Sequence, residues 1–176
     1  MLFRSTLNKA LFAGLRLGYA VVPPALIRRF AALRHLADRQ PPSLVQSVAA
    51  AFIADGHLAS HIRRMRLRYR EQRDALVRTL ARHGGGAILA EAPDQGMHLA
   101  AVLAGGRSDR ALERAALDAG IVVRALSRLY RARKPRQGLL LGFSGYPPSL
   151  IVPAAARLAR LAAAMPPRRP ATEGRD

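Results

Sequence analysis

Apolar positions in the middle of the chain recur at helical spacing. Leu58, Ile62, Met65, Tyr69, Leu76 and Leu80 form one stripe, and Arg63, Arg64, Arg66, Arg68, Arg70 and Arg73 fill the positions around it. That pattern predicts an amphipathic helix over 57–83, stopped by Gly84-Gly85-Gly86. Upstream, Leu17 to Val22 is a short β-prone run ended by Pro23-Pro24, which reads as a buried strand with apolar groups on both faces. Pro24 suits the start of a helix over about 25–37. Pro41-Pro42 ends it, and Ser43 is the expected N-cap of a helix over 43–54, broken at Asp55-Gly56. Residues 3–15 show no clear period.

Beyond the triple glycine the rhythm changes. Ala87–Ala90 and Met97–Leu103 read as strands. Ser108 caps a helix to about 118, Ile121–Leu126 reads as a strand, and 127–137 is a basic loop. Gly138–Ser144 is a further strand, and Pro147-Pro148-Ser149 opens a last helix to about Met165. Strand, strand, helix, strand, strand, helix makes a small α/β unit over 84–165. The expected division is thus 1–55, a linking helix at 56–83, the α/β unit at 84–165, and a disordered tail at 166–176. Residues 84–165 are expected to be the better-ordered part, because the run at 17–22 needs neighbouring strands on either side.

Composition narrows the choices. Of 176 residues half are apolar, which excludes a disordered chain, yet only 5% are aromatic, so Ala and Leu must build the core. With no cysteine, disulfides and thiolate metal sites are excluded. No apolar run is long enough to span a bilayer, so no membrane partner is expected. His57, His61 and His98 lack ligand-spaced companions, so no metal site is expected either. The formal net charge of +18 invites a nucleic-acid reading, and a small basic nucleic-acid-binding protein is one functional class to weigh. However, 27 of the 29 basic residues are Arg, and they are spread along the chain rather than gathered into a tract. Solvated helix faces account for that distribution. Residues 1–37 contain no acid and carry Phe3, Leu7, Leu11 and Leu15 four apart, as a presequence would. Arg16 interrupts that run, so a cytoplasmic protein is expected.

The chemistry is concentrated in Ser5-Thr-Leu-Asn-Lys-Ala-Leu-Phe-Ala-Gly-Leu-Arg-Leu-Gly-Tyr19. This stretch resembles the lysine motif of type I pyridoxal-phosphate (PLP) enzymes, in the G-T-F-S-K…R-L-G-Y form of MocR-type regulators of the GntR superfamily and aminoadipate-type aminotransferases. Thr6, Lys9, Arg16, Gly18 and Tyr19 fall on the pattern; Asn8 stands where Ser is usual. The resemblance implies that Lys9 is the catalytic Schiff-base lysine and that Thr6 and Arg16 hold the cofactor phosphate. The residue types suit those roles, since an amine can carry an aldehyde and a guanidinium fork matches a phosphate.

A second segment, from Gly56-His-Leu-Ala-Ser-His-Ile-Arg-Arg-Met-Arg through Tyr69 to Asp74, is similar to the G-H-x-x-x-H-x-R-R-M-R…Y…R-R-D segment of MocR-type regulators, with Ser60 where Arg is common. In that family it is a long linking helix, which argues against a DNA-reading role here. Asp94–Leu99, Gly120–Ser127 and Gly138–Ser144 resemble further family strands, so the likeness covers about 3–165. Transaminases carry a carboxylate-binding Arg in the strand L-R-L-x-F, whereas this chain has Leu140 there. The replacement favours a regulator. Arg124, on the preceding strand, is a candidate for a substrate or effector carboxylate, with a surface or structural role as the stronger alternative.

The expected fold is therefore α/β, the C-terminal part of a type I PLP-dependent aminotransferase-like domain. The expected function is a partial PLP-binding effector domain of a MocR-type regulator, with a fragment of a class I/II aminotransferase as the alternative. The resemblance implies an amino acid or amine effector, a homodimer, and DNA contact only through an N-terminal winged helix. The ring-nitrogen acid and the ring-stacking aromatic lie upstream of the lysine in this fold, and eight residues precede Lys9. The chain alone is expected to hold PLP weakly or not at all, and to be inactive as an enzyme.

Overall fold

A computed structural model describes residues 3–39, 42–131 and 135–167. The chain divides into two compact units, residues 1–65 and 66–176. The expected tail after Pro166 lies mostly outside the described residues, as do residues 132–134 of the expected basic loop.

In the first unit, β1 (Phe3–Thr6) pairs antiparallel with β2 (Gly18–Val21), with Thr6 opposite Gly18 and Ser5 opposite Tyr19. The run at 17–22 is thus a strand, but not a buried one: every residue of β2 is exposed. A strand is buried only where both faces are covered, and among the described residues β2 has a single ladder partner. Two helices follow, α1 (Pro24–Asp38) and α2 (Ser43–Ala54). Pro24 at the start of α1 needs no intrahelical donor. Ser43 is not the cap expected of it. Pro42 takes that position in an extended conformation, and Ser43 is the first helical residue.

Helix α3 (His57–His83) follows, with its apolar stripe intact. Its second half carries Leu76 and Leu80 into the core of the second unit. The sheet there has four strands, β3 (Ile88–Ala90), β4 (His98–Leu103), β5 (Arg124–Ala125) and β6 (Gly138–Gly142). All neighbours are antiparallel, in the order β3-β4-β6-β5. Alternation decides its faces. Leu99, Ala101, Leu103, Leu139 and Leu141 turn inward and are buried against α4 (Asp109–Asp118) and α5 (Pro148–Ala164). Their alternates His98, Ala100 and Arg124 are exposed. Small helix residues Ala116, Ala155, Ala159 and Ala162, all buried, let α4 and α5 approach closely, which is how a core nearly free of aromatics fills its volume.

Ser108 caps α4 as expected, its hydroxyl accepting from Ala111 N at 3.3 Å. The strand expected over 121–126 shrinks to two residues. Gly120, at φ +75°, closes α4 in a Schellman arrangement in which Ile121 N donates to Ala116 O at 2.8 Å. That bond ties Ile121 to the helix end, so the chain joins the ladder only at Arg124. The start of the expected basic loop is instead a 3-10 turn, Leu126–Leu129.

Candidate functional site

Thr6, Lys9 and Arg16 all lie in the first unit, on or beside the loop that joins β1 to β2. The loop is closed at its base. Leu7 N donates to Leu17 O at 3.0 Å, and the Thr6 hydroxyl donates to the same carbonyl at 3.2 Å. The hydroxyl also accepts from Asn8 N at 3.2 Å. A turn follows, with Ala10 N and Leu11 N both donating to Leu7 O, and Lys9 is exposed on it. Arg16 re-enters the hairpin in the left-handed region, at φ 50° and ψ 28°. A non-glycine residue adopts that conformation at a cost, and such outliers gather at functional positions. One short loop therefore carries the amine and the guanidinium that the motif places seven residues apart.

The polar groups of this loop are largely unspent. Lys9 and Arg16 have no hydrogen-bond or ionic partner among the described residues, and the buried Asn8 Oδ1 has none. A loop of this kind fits a ligand that carries both an electrophilic carbonyl and an anion. Thr6 is different. Its proton is committed to Leu17 O, so here it staples the loop ends together, and it keeps a lone pair.

His61 was not legible as part of this site. Its Nε2 lies 2.8 Å from the carbonyl oxygen of Ala10, the residue after Lys9. Arg64 lies 3.4 Å from the other ring nitrogen and can only donate to it. That assigns the proton to Nε2, which donates to Ala10 O. The contact spans fifty-one positions, and no spacing rule finds it. His57 packs against the Phe52 ring, with centroids 5.5 Å apart.

Arg124 belongs to the second unit. It sits on β5 directly opposite Leu140 on β6, so the two side chains share the face of the sheet away from α4 and α5. The nearby polar cluster on the inner side is structural. Glu113 accepts from Ala125 N at 2.9 Å and from Arg128 Nε at 2.8 Å. The backbone donor of Ala125 and the guanidinium of Arg128 hold its carboxyl below the usual range.

The described residues thus form a β-hairpin carrying a lysine loop, two helices, a long helix and an antiparallel sheet covered by helices on one face. Comparison with known proteins gives the family. The aminotransferase class I and II family matches residues 5–136, and the chain belongs to that family. The probable rhizopine catabolism regulatory protein MocR of Rhizobium meliloti is 35% identical over 148 residues, covering 84% of this chain and 30% of its own. The HTH-type transcriptional regulator TauR of Rhodobacter capsulatus is 36% identical over 77 residues, covering 44% of this chain and 16% of its own. Among solved structures, the multiple substrate aminotransferase from Thermococcus profundus superposes with a TM-score of 0.83 at 23% identity, covering 92% of this chain and 40% of that one. The α-aminoadipate aminotransferase LysN from Thermus thermophilus, solved with a phosphopyridoxyl-leucine, gives 0.81 at 24%, covering 92% of this chain and 41% of that one. The chain thus spans about a third of the MocR relative. It is an aminotransferase-like domain with MocR-type regulators as relatives. No described helix is long and apolar enough to cross a membrane.

Proposed function

We propose that the chain is the C-terminal part of the PLP-binding effector domain of a MocR-type, cytoplasmic transcription regulator. The observation that carries this reading is the single closed loop bearing Lys9 and Arg16, in a chain 35% identical to a regulator over 84% of its length. When bound, pyridoxal phosphate supplies an aldehyde that a lysine amine and an effector amine can exchange, and a phosphate for anchoring.

The residues divide the work. Lys9, exposed and without a partner among the described residues, offers its amine to the aldehyde. Arg16 offers a fork of N–H donors to the phosphate. Thr6 holds the two ends of the loop at Leu17, and donates to a phosphate only by giving up that carbonyl. His61 holds the far side of the turn through Ala10. On the sheet, Arg124 supplies a cation beside Leu140, the position at which transaminases place their carboxylate-binding Arg, and so receives the carboxylate of an amino acid effector. Base readout in such a regulator belongs to a winged helix outside this chain, with the protein acting as a homodimer.

The test uses the fact that Lys9 and Lys134 are the chain's two lysines. The protein is mixed with pyridoxal phosphate, reduced with borohydride and mapped by mass spectrometry. Label on Lys9 in preference to Lys134, reduced by Arg16→Gln, is expected. Equal labelling of the two lysines, or labelling indifferent to Arg16, would overturn the assignment.

A further inference from the structure

Helix α3 keeps a charged stripe that the cofactor loop does not use. Arg66, Tyr69, Arg70 and Arg73 lie three and four residues apart, so they share one face of the helix. They line a cleft of about 380 Å³ whose other wall is the turn Pro93–Gly96, with Phe143 behind them. The whole cleft belongs to the second unit.

Its three arginines are not equivalent. Arg73 is spent on construction. Its guanidinium donates to Pro93 O at 2.7 Å and pairs with Asp74 at 2.8 Å, which fixes the turn against the helix. Arg66 and Arg70 have no ionic or hydrogen-bond partner among the described residues. Asp74, the acid one turn from Arg70, is already taken by Arg73, and Glu71 is adjacent to Arg70 in sequence and so faces elsewhere on the helix. Two like charges at i and i+4 oppose helix formation. Both arginines are exposed, so solvent screens part of their repulsion, and a counter-charge between them relieves what remains. Asp94 on the facing turn offsets one of the charges at most.

From this arrangement we infer that the cleft binds a small dicarboxylate, with Arg66 and Arg70 taking one carboxylate each. A planar guanidinium pairs with a carboxylate through two parallel hydrogen bonds, and two guanidiniums one helical turn apart suit two carboxylates joined by a short chain. Tyr69 and Pro93, which line the cleft beside the arginines, give that chain an apolar wall. The site is independent of the cofactor reading, because none of its residues lies on the Lys9 loop.

Calorimetric titration of the full chain with sodium succinate, at constant ionic strength, tests this, with acetate and inorganic phosphate as competitors. Succinate is expected to saturate with a Kd on the order of a millimolar. The double variant Arg66→Gln, Arg70→Gln should weaken it about tenfold or more while melting at the same temperature or slightly higher. Arg78→Gln with Arg82→Gln removes the same charge from the same helix outside the cleft, and should bind as the parent does. Three results would each sink the proposal: no saturable succinate binding by the parent, equal loss in the two double variants (which would mean net charge alone), or phosphate binding more tightly than succinate.

Discussion

Ser127 donates twice to Asp109, from its backbone nitrogen at 2.8 Å and from its hydroxyl at 2.7 Å. Gly138 N adds a third donor to the same carboxylate at 3.3 Å. A fully buried acid at the start of α4 thereby gathers the 3-10 turn after β5 and the first residue of β6. Gly138 has to be glycine here, since a Cβ would come within 2.5 Å of the Ala101 carbonyl oxygen. Replacing Asp109 with Ala leaves three donors without an acceptor, two of them backbone groups. At about 1–3 kcal/mol for each buried unsatisfied group, Asp109→Ala should cost about 3 kcal/mol or more. Urea unfolding measures it, and a loss within about 1 kcal/mol would show that the cluster is not structural.

Glu113 sets a pH dependence whose sign is fixed. Its folded carboxyl titrates below the usual value because Ala125 N and Arg128 donate to the ionised form. A carboxyl depressed in the folded state stabilises above its unfolded value and loses that contribution as pH falls through the folded one. The stability gap between the parent and Glu113→Gln should therefore be constant above about pH 5 and close progressively below about pH 4.5. A gap unchanged down to the acid transition would show that the lowered carboxyl contributes nothing to stability.

The two units should differ in resistance to proteases. Among the described residues every buried apolar side chain except Ala49 lies between Ala75 and Ala162. Helix α1 instead exposes Leu26, Ile27, Phe30, Leu33 and Leu36. Few buried contacts mean cheap local opening. Limited proteolysis should cut first within residues 1–55, leaving a fragment that contains 84–165. Early cuts between 87 and 144, with 1–55 intact, would reverse the ranking.

What the sequence disclosed, and what it withheld, follows from range. Helix α3 was legible to the residue because its stripe, its glycine stop and its charges are all local signals. The Ser108 cap and the Pro24 start were local too. Strand β1 was not legible, since four residues of mixed polarity acquire strand character only from β2. The exposure of β2 was misread for the converse reason: an apolar run reports what a strand would bury, not what is present to cover it. Ile121–Val123 has the composition of a strand, yet the Schellman bond to Ala116 decides its path. In the candidate site, Thr6, Lys9 and Arg16 were readable as a spaced motif. His61 was not, because its partner is a carbonyl, and carbonyls carry no sequence signature.

Arg16 sits where a glycine or asparagine would be more comfortable. A library of variants selected only for heat resistance would be drawn to that position, and the replacements it favoured would discard the guanidinium. If Arg16 has the phosphate-holding role proposed above, improved hardiness would then come with a blunted response to anions at the hairpin, and a survivor judged by its melting curve alone would pass as an upgrade. Position 16 is where endurance and chemistry compete for a single residue.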